Sequence, residues 1–455
     1  MNLITRSFLV VGGGGREASF AMNLAADLQR VHAVMPHENP SIIDCVRKTG
    51  GSYAIGDPGD PGAVLEFARA HSVDYSFVNA DEPLANGVVD SLVGGGLRAV
   101  GGTRAATRVE WDKVYAMKMM DAICPEHTPF YRIVSGAGRQ LDGAMSEFKS
   151  RGMQVVVKPQ GLTGGKGVKV MPEHLPTYDD CLAYASELLD ARPGESVLLV
   201  ERLEGMEFTI MGITDGEHLV MAPATYDYPF RLDGDRGPGT GGMGCFSGPG
   251  MRLPFMSRAD EAACRSIMQR VIDHMRSRSL GFTGVLNGGF FKTRNGIRFM
   301  EFNSRFGDPE CLNVISVLRT PLSEVLVRMW GGDVSDGSIS FARMASVNKY
   351  LVAGEYPSAS PDAIDFEVDD DSLKRLGVKA YYASCVRTGA NRYRTLKKSR
   401  VVALSAVSDT VQRASDAVNR AIESCVRGDL DYRRDIGSTE SLGALERRAG
   451  ALGLD

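Results

Sequence analysis

Near residue 300 the chain reads Arg298-Phe-Met-Glu-Phe-Asn-Ser-Arg305. In a strand, alternate side chains share a face, so Glu301, Asn303 and, if the strand continues, Arg305 point one way and Met300 and Phe302 the other. A carboxylate beside a carboxamide offers hard oxygen ligands. Magnesium or manganese carrying nucleotide phosphates takes one or two of these from protein. An arginine one step further can grip a phosphoryl or carboxylate group with two parallel hydrogen bonds. The plain alternative is an exposed polar strand face. The tight acidic turn Phe306-Gly-Asp-Pro-Glu310 that follows favours the ligand reading.

Three glycine-rich segments add to this. Gly161-Leu-Thr-Gly-Gly-Lys-Gly-Val168 lies between two strand signals. Its bare amides and lysine suit a polyphosphate as a hairpin flap, or it is a simple glycine turn. It is not a Walker loop, because Gln160 and Gly167 stand where that motif needs Gly and Ser or Thr. Asp233 to Gly244 holds six glycines in twelve positions, which argues against a regular element and for an ordered binding loop. Gly12 to Gly15 with Arg16 follows the first strand signal. Counted from Gly13 it is a weak dinucleotide fingerprint, and no acidic residue ends the next strand. A phosphate or carboxylate at the helix N-terminus, held by Gly13, Gly14 and Arg16, is the preferred reading; a packing turn is the other.

The elements that must position these groups follow from periodicity. Residues 7–11, 31–35 and 75–78 read as strands, alternating with helices at 17–28 and 60–71, which implies a parallel sheet. Residues 103–125 read as helix around Lys113, broken by Pro125. Strands at 154–158, 168–171 and 196–200 with a helix at 178–189 form an αβ unit. Strands at 208–212, 288–291 and 298–303 follow. The acidic run 365–371 reads as a solvated loop.

The 455 residues suggest three to four units, at roughly 100–200 residues each. A net charge of −4, from 52 basic and 56 acidic residues, advertises neither nucleic-acid nor membrane binding. Eight scattered cysteines lack metal or redox spacing and read as buried thiols. Seven histidines form no triad or metal pattern, which disfavours covalent nucleophilic catalysis. Met117, Met119 and Met120 read as core. The glycines end the N-terminal apolar run early, so no leader or spanning helix is expected, and a cytoplasmic location follows.

Taken in order, Val11–Ala18, Val157–Val168, Gly237–Gly244, Phe282–Val285, Glu301–Glu310 and Arg433–Gly437 resemble the glycinamide ribonucleotide synthetases, ATP-grasp enzymes of purine synthesis. The resemblance spans nearly the whole chain and implies an α/β and α+β multidomain fold. Its parts would be an N-terminal parallel-sheet (pre-ATP-grasp) domain at 1–110, an ATP-grasp domain at 111–332 with a mobile flap subdomain at about 126–200, and a mixed α/β domain at 333–455. It implies that Lys113 and Lys158 hold ATP phosphates and that Gly164, Gly165, Lys166 and Gly167 form the flap. Glu201 to Leu203 would read adenine, and Glu207 the ribose. Glu301 and Asn303 would hold Mg2+ (or Mn2+). Arg305, Lys166 and Asp308 would serve the acyl-phosphate chemistry. Gly13, Gly14, Arg16, Arg231, Gly241 and Gly242 would face substrate. The implied partners are glycine and 5-phosphoribosylamine, with no nucleic acid or membrane, in a monomer or weak dimer.

Three loops depart from the family pattern: Pro36-His-Glu-Asn-Pro40, Asn79-Ala-Asp-Glu82 and Tyr226-Asp-Tyr-Pro-Phe-Arg231. They bear on the amine. A diverged ligase joining another amino acid to another amine, and an inactive nucleotide-binding regulator, are the competing readings.

Overall fold

The computed structural model describes residues 5–161, 167–396 and 399–454. Ser7–Val11 is buried at every position and apolar from Phe8 onward. It pairs in parallel with Arg30–Met35 on one side and Tyr75–Val78 on the other, with Tyr53–Ile55 and Ala99–Gly102 outside them. Both faces of this sheet are covered, as parallel sheets require. The first helix, Gly15–Ala26, starts two residues before expectation because the Glu17 side chain caps the Gly14 N–H at 2.9 Å. Pro61–Ala70 is started by the Asp60 carboxylate, which accepts from the Gly62 and Ala63 amides.

Ala99–Gly102 also pairs antiparallel with Phe282–Thr293, so the N-terminal sheet runs on into the central one. Among the described residues, fourteen strands form this continuous sheet. Phe282–Thr293 is its spine, flanked by Met206–Thr214 and Gly296–Asn303. The helix Arg258–Ser277, whose start the Ser257–Asp260 capping box fixes, buries Cys264, Ile267, Met268 and Val271 in the central core.

A four-stranded antiparallel sheet stands apart, in the order Tyr131–Val134, Val197–Glu201, Val155–Pro159, Lys169–Val170. Helices Arg139–Ser150 and Tyr178–Ala191 bury Leu141, Phe148, Cys181 and Ala185 against it. The expected flap residues Gly164, Gly165 and Lys166 lie outside the described residues. Gly167, also expected in that flap, is described; its carbonyl accepts from the Tyr184 hydroxyl at 3.0 Å.

The C-terminal third is not a separate sheet. Ala345–Leu351, Lys379–Tyr382 and Val402–Ser408 extend the central one. A smaller four-stranded sheet lies outside it. There the acidic run corrects the expectation of a loop. Asp365–Val368 is a strand and Asp370–Arg375 a helix. Phe366 and Val368 alternate inward to full burial, while Asp365 and Glu367 pair outward with Arg394 and Arg392. Period-two alternation outweighed charge there. The loop 233–244 is likewise partly regular: Arg236–Gly239 pairs with Phe230–Leu232 as a hairpin. All eight cysteines are buried thiols. Among the described residues, no helix is long and apolar enough to cross a membrane.

Candidate active site

A cavity of about 410 Å³ is lined from the central sheet, the first helix and the four-stranded unit. Lys113, Lys158, Glu301, Asn303, Arg305 and Asp308, named from sequence, all line it, as do Arg16 and Gly241. Lys113 begins the helix Lys113–Ile123, which Asp112 caps by accepting from the Tyr115 amide. Its ammonium donates to the Gly161 carbonyl at 2.9 Å. Lys158, on Val155–Pro159, donates to the Met300 carbonyl at 3.4 Å.

Glu301 and Asn303 lie on Gly296–Asn303, opposite Gly289 and Asn287 of the spine strand. The register slips between Gly289 and Phe290, leaving Met300 as an additional residue. This bulge brings Met300 to the cavity, where simple alternation placed it on the opposite apolar face. Phe302, buried in the central core, also lines the cavity. The Asn287 side chain is 1% exposed and its Oδ1 has no hydrogen-bond partner.

Arg305 donates to the Asn303 Oδ1 at 3.2 Å and stands 3.1 Å from the Glu110 carboxylate. Arg16 donates to Glu17 at 2.7 Å and to the Phe306 carbonyl at 3.1 Å. Burial works against the Arg16 charge, but Glu17, Asp308 and Asp81 more than offset it and hold the guanidinium above its ordinary range. Burial likewise pushes the Asp81 carboxyl up, while Arg305 and Arg16 bring it below the usual carboxylate range. Burial holds the Lys113 ammonium below its usual range, opposed by Glu301 and reinforced by Lys158. Asp308 accepts from the Tyr350 hydroxyl at 2.8 Å and pairs with Arg400 at 3.2 Å.

Glu207 stands on Met206–Thr214, on the sheet face that carries Glu301. Surrounding protein, then the Glu301 charge, push its carboxyl up to about 7. Its side chain faces open solvent, which offsets part of that push. Glu201 ends Val197–Glu201 half-buried, and Leu203 is half-buried in the link that follows. Neither lines the cavity; Leu198 of the same strand does.

Arg231 is not brought to the cavity. It is buried, donating to the Tyr356 carbonyl at 3.0 Å and to Asp431 at 2.8 Å. The Gly13 carbonyl accepts from Asn39, and the Gly14 amide is already capped by Glu17. Gly242 sits beside Asp227: a Cβ there would lie 2.7 Å from Asp227 Oδ1, on a backbone with φ of +95°.

The family model of the phosphoribosylglycinamide synthetase ATP-grasp (A) domain matches residues 112–311, and that of the N domain residues 6–110. The phosphoribosylamine–glycine ligase of Methanothermobacter thermautotrophicus is 37% identical, over 95% of this chain and 96% of that protein. That of Thermococcus kodakarensis is 36% identical over the same shares. The chain belongs to the phosphoribosylglycinamide synthetase family. Among solved structures, the phosphoribosylamine–glycine ligase of Thermotoga maritima shares the fold with a TM-score of 0.76 at 21% identity, covering 95% of this chain and 100% of that one. A biotin carboxylase from Campylobacter jejuni shares it with a TM-score of 0.70 at 14% identity, covering 98% and 96%.

The phosphoribosylglycinamide synthetase ATP-grasp segment thus carries both lysines, the Glu301–Asn303 pair, Arg305 and Asp308, and the N segment carries Arg16. Sequence reasoning gave no site role to Asp81, Glu110, Asp227, Asn287, Glu310 or Arg400, which also line the cavity. Glu310 was visible in the acidic turn, and Asp81 and Asp227 within departing loops. Nothing in the sequence marks Arg400, which lies beyond both matched segments.

Proposed function

We propose that this phosphoribosylglycinamide synthetase joins glycine to 5-phosphoribosylamine at the expense of ATP. The products are glycinamide ribonucleotide, ADP and phosphate, within purine synthesis. The observation that carries this reading is the convergence of Lys113, Lys158, Glu301, Asn303 and Arg305 on one cavity.

Lys113 and Lys158 bind the triphosphate as point charges. The donor set of Glu301 and Asn303 fits magnesium or manganese: two hard oxygens on adjacent same-face positions, with the unpartnered Asn287 Oδ1 across the ladder. A divalent ion held there would neutralise phosphate charge and polarise the γ-phosphoryl group. Arg305 orients the glycine carboxylate for attack on the γ-phosphorus, giving glycyl phosphate and ADP. The amine then attacks the glycyl carbonyl, and phosphate leaves with the former carboxylate oxygen. Arg305, steadied by Glu110, stabilises the charge on the departing phosphate. The C-terminal region that carries Arg400 shields glycyl phosphate from water.

The test is ADP release with a panel of amino acids, with and without 5-phosphoribosylamine. Dependence on both glycine and 5-phosphoribosylamine is expected. Faster turnover with another pair would overturn the substrate assignment.

A further inference from the structure

Two elements about two hundred positions apart exchange charges outside the cavity. One is the hairpin formed by Phe230–Leu232 and Arg236–Gly239. The other is the C-terminal segment 431–436. Arg231 of the hairpin donates to Asp431 of the segment. In return, Arg433 of the segment donates to Asp235 of the hairpin at 2.7 Å and to the Phe230 carbonyl at 3.0 Å. The other edge of the Arg433 fork donates to both oxygens of Asp435, at 2.8 and 2.6 Å. Backbone groups close the seam: the Arg434 amide donates to Asp233 and the Gly234 amide to Asp435. The Arg433 side chain is 1% exposed and lies over the Tyr228 ring at 4.8 Å.

The segment is the fixed partner of the two. Asp431 exchanges both backbone hydrogen bonds with Val352. The Lys349 ammonium donates to the Arg434 carbonyl and the Ser415 hydroxyl to the Ile436 carbonyl, each at 2.7 Å. The Ile436 side chain is wholly buried in the central core. The hairpin has less footing of its own. Its second strand is exposed at every position, and a two-stranded hairpin alone is marginal in water. Its exit leads to the cavity. The Thr240 amide donates to the Pro229 carbonyl at 2.7 Å. The Gly241 amide donates to the hydroxyl of Tyr356, whose carbonyl accepts from Arg231. Gly241 then lines the cavity beside Arg400, which donates to the Gly241 carbonyl.

We propose that Arg433, which is not among the described residues lining the cavity, is a positioning residue for the site: it holds the hairpin on the C-terminal segment and so sets where Gly241 stands in the cavity wall. Resting on the function proposed above, the effect has a direction. Lys113 and Lys158 mark the nucleotide part of the cavity. Gly241 stands with Asp308, because the Arg400 guanidinium joins the two. A loosened hairpin therefore impairs 5-phosphoribosylamine and leaves ATP binding alone. Lysine cannot replace Arg433: it supplies the charge, but not a planar fork that spans Asp435, Asp235 and the Phe230 carbonyl together.

Arg433→Lys and Asp235→Asn test this, the second as the milder change, at a side chain 44% exposed. In Arg433→Lys, kcat/KM for 5-phosphoribosylamine should fall about 30–100-fold, the scale for a misplaced site element, with the KM for ATP held within about 2-fold. Asp235→Asn should show the same split at about 10-fold, for one charge-assisted hydrogen bond. Should Arg433→Lys not fold, Asp235→Asn carries both readouts. The second readout is trypsin, which cleaves after Arg236 on the exposed strand of the hairpin; in the folded variants that cleavage should quicken at least about 10-fold. A lower kcat with every KM unchanged, the mark of a smaller folded fraction, would overturn the assignment. Equal rises in KM for ATP and 5-phosphoribosylamine, or wild-type trypsin rates in the folded variants, would do the same. If the wild type shows no turnover dependent on 5-phosphoribosylamine, the proposed function fails, and the trypsin rates still decide whether Arg433 holds the hairpin.

Discussion

The Glu110 carboxylate links two parts of the site: one oxygen stands 3.1 Å from Arg305 Nη2, and the other accepts the Ser304 amide and hydroxyl at 2.8 and 2.7 Å. It therefore fixes both the arginine and the chain segment that leads from Asn303 into the acidic turn. Glu110→Gln keeps the shape and removes the charge. Turnover should fall roughly 10–100-fold, as when an outer partner of a metal site is lost, with little change in the KM for ATP. Steady-state kinetics at saturating substrates check this, and an unchanged kcat would contradict it.

Glu301→Gln removes the charged member of the donor pair. Binding of Mn2+ in the presence of a non-hydrolysable ATP analogue, followed by electron paramagnetic resonance, should weaken at least about 100-fold while the melting temperature stays within a few degrees. Unaltered Mn2+ affinity would remove Glu301 from the ligand set.

Gly15 opens the first helix against the C-terminal region. A Cβ there would lie 2.3 Å from the Tyr350 hydroxyl, which is buried and donates to Asp308. Gly15→Ala should cost about 1–3 kcal/mol by overpacking. It should lower turnover too, because Tyr350 must release Asp308 to make room. Denaturant unfolding and kinetics measure the two effects; an unshifted midpoint would contradict the contact.

His32 gives a pH dependence. It is 3% exposed, and its Nδ1 accepts from the Ser52 amide. Burial, with lesser contributions from His71 and Arg30, pushes the imidazole down to about 4. Between the unfolded value near 6.5 and that value, the unfolded chain binds a proton that the folded chain does not. Stability is thus fully present above pH 6.5 and falls as pH drops toward 4, by about 3 kcal/mol for this group. His32→Gln should flatten that slope in unfolding titrations run across the window; an identical slope would contradict it.

Much of the chemistry was legible because it sits in short, locally encoded pieces. Glu301 and Asn303 share a strand face by period alone, and Lys158 ends a strand whose apolar run is plain. What was not legible depends on partners distant in sequence. The Met300 bulge arises from pairing with Phe282–Thr293 and has no signature within its own strand. Arg231 reads as a substrate-facing cation at the end of the departing loop 226–231, yet Asp431 claims it from two hundred positions away. Arg400 reaches the cavity only because the C-terminal strands join the central sheet. The acidic run at 365–371 misled because charge was weighed above its alternation with Phe366 and Val368.

Glycine labelled with 18O in its carboxylate tests the central claim most directly. If that carboxylate attacks the γ-phosphorus and the amine then displaces phosphate, each phosphate released during turnover with ATP and 5-phosphoribosylamine carries one 18O from glycine. Phosphate free of 18O, its fourth oxygen taken from solvent, would show that ATP is merely hydrolysed in this cavity and that no glycyl phosphate forms.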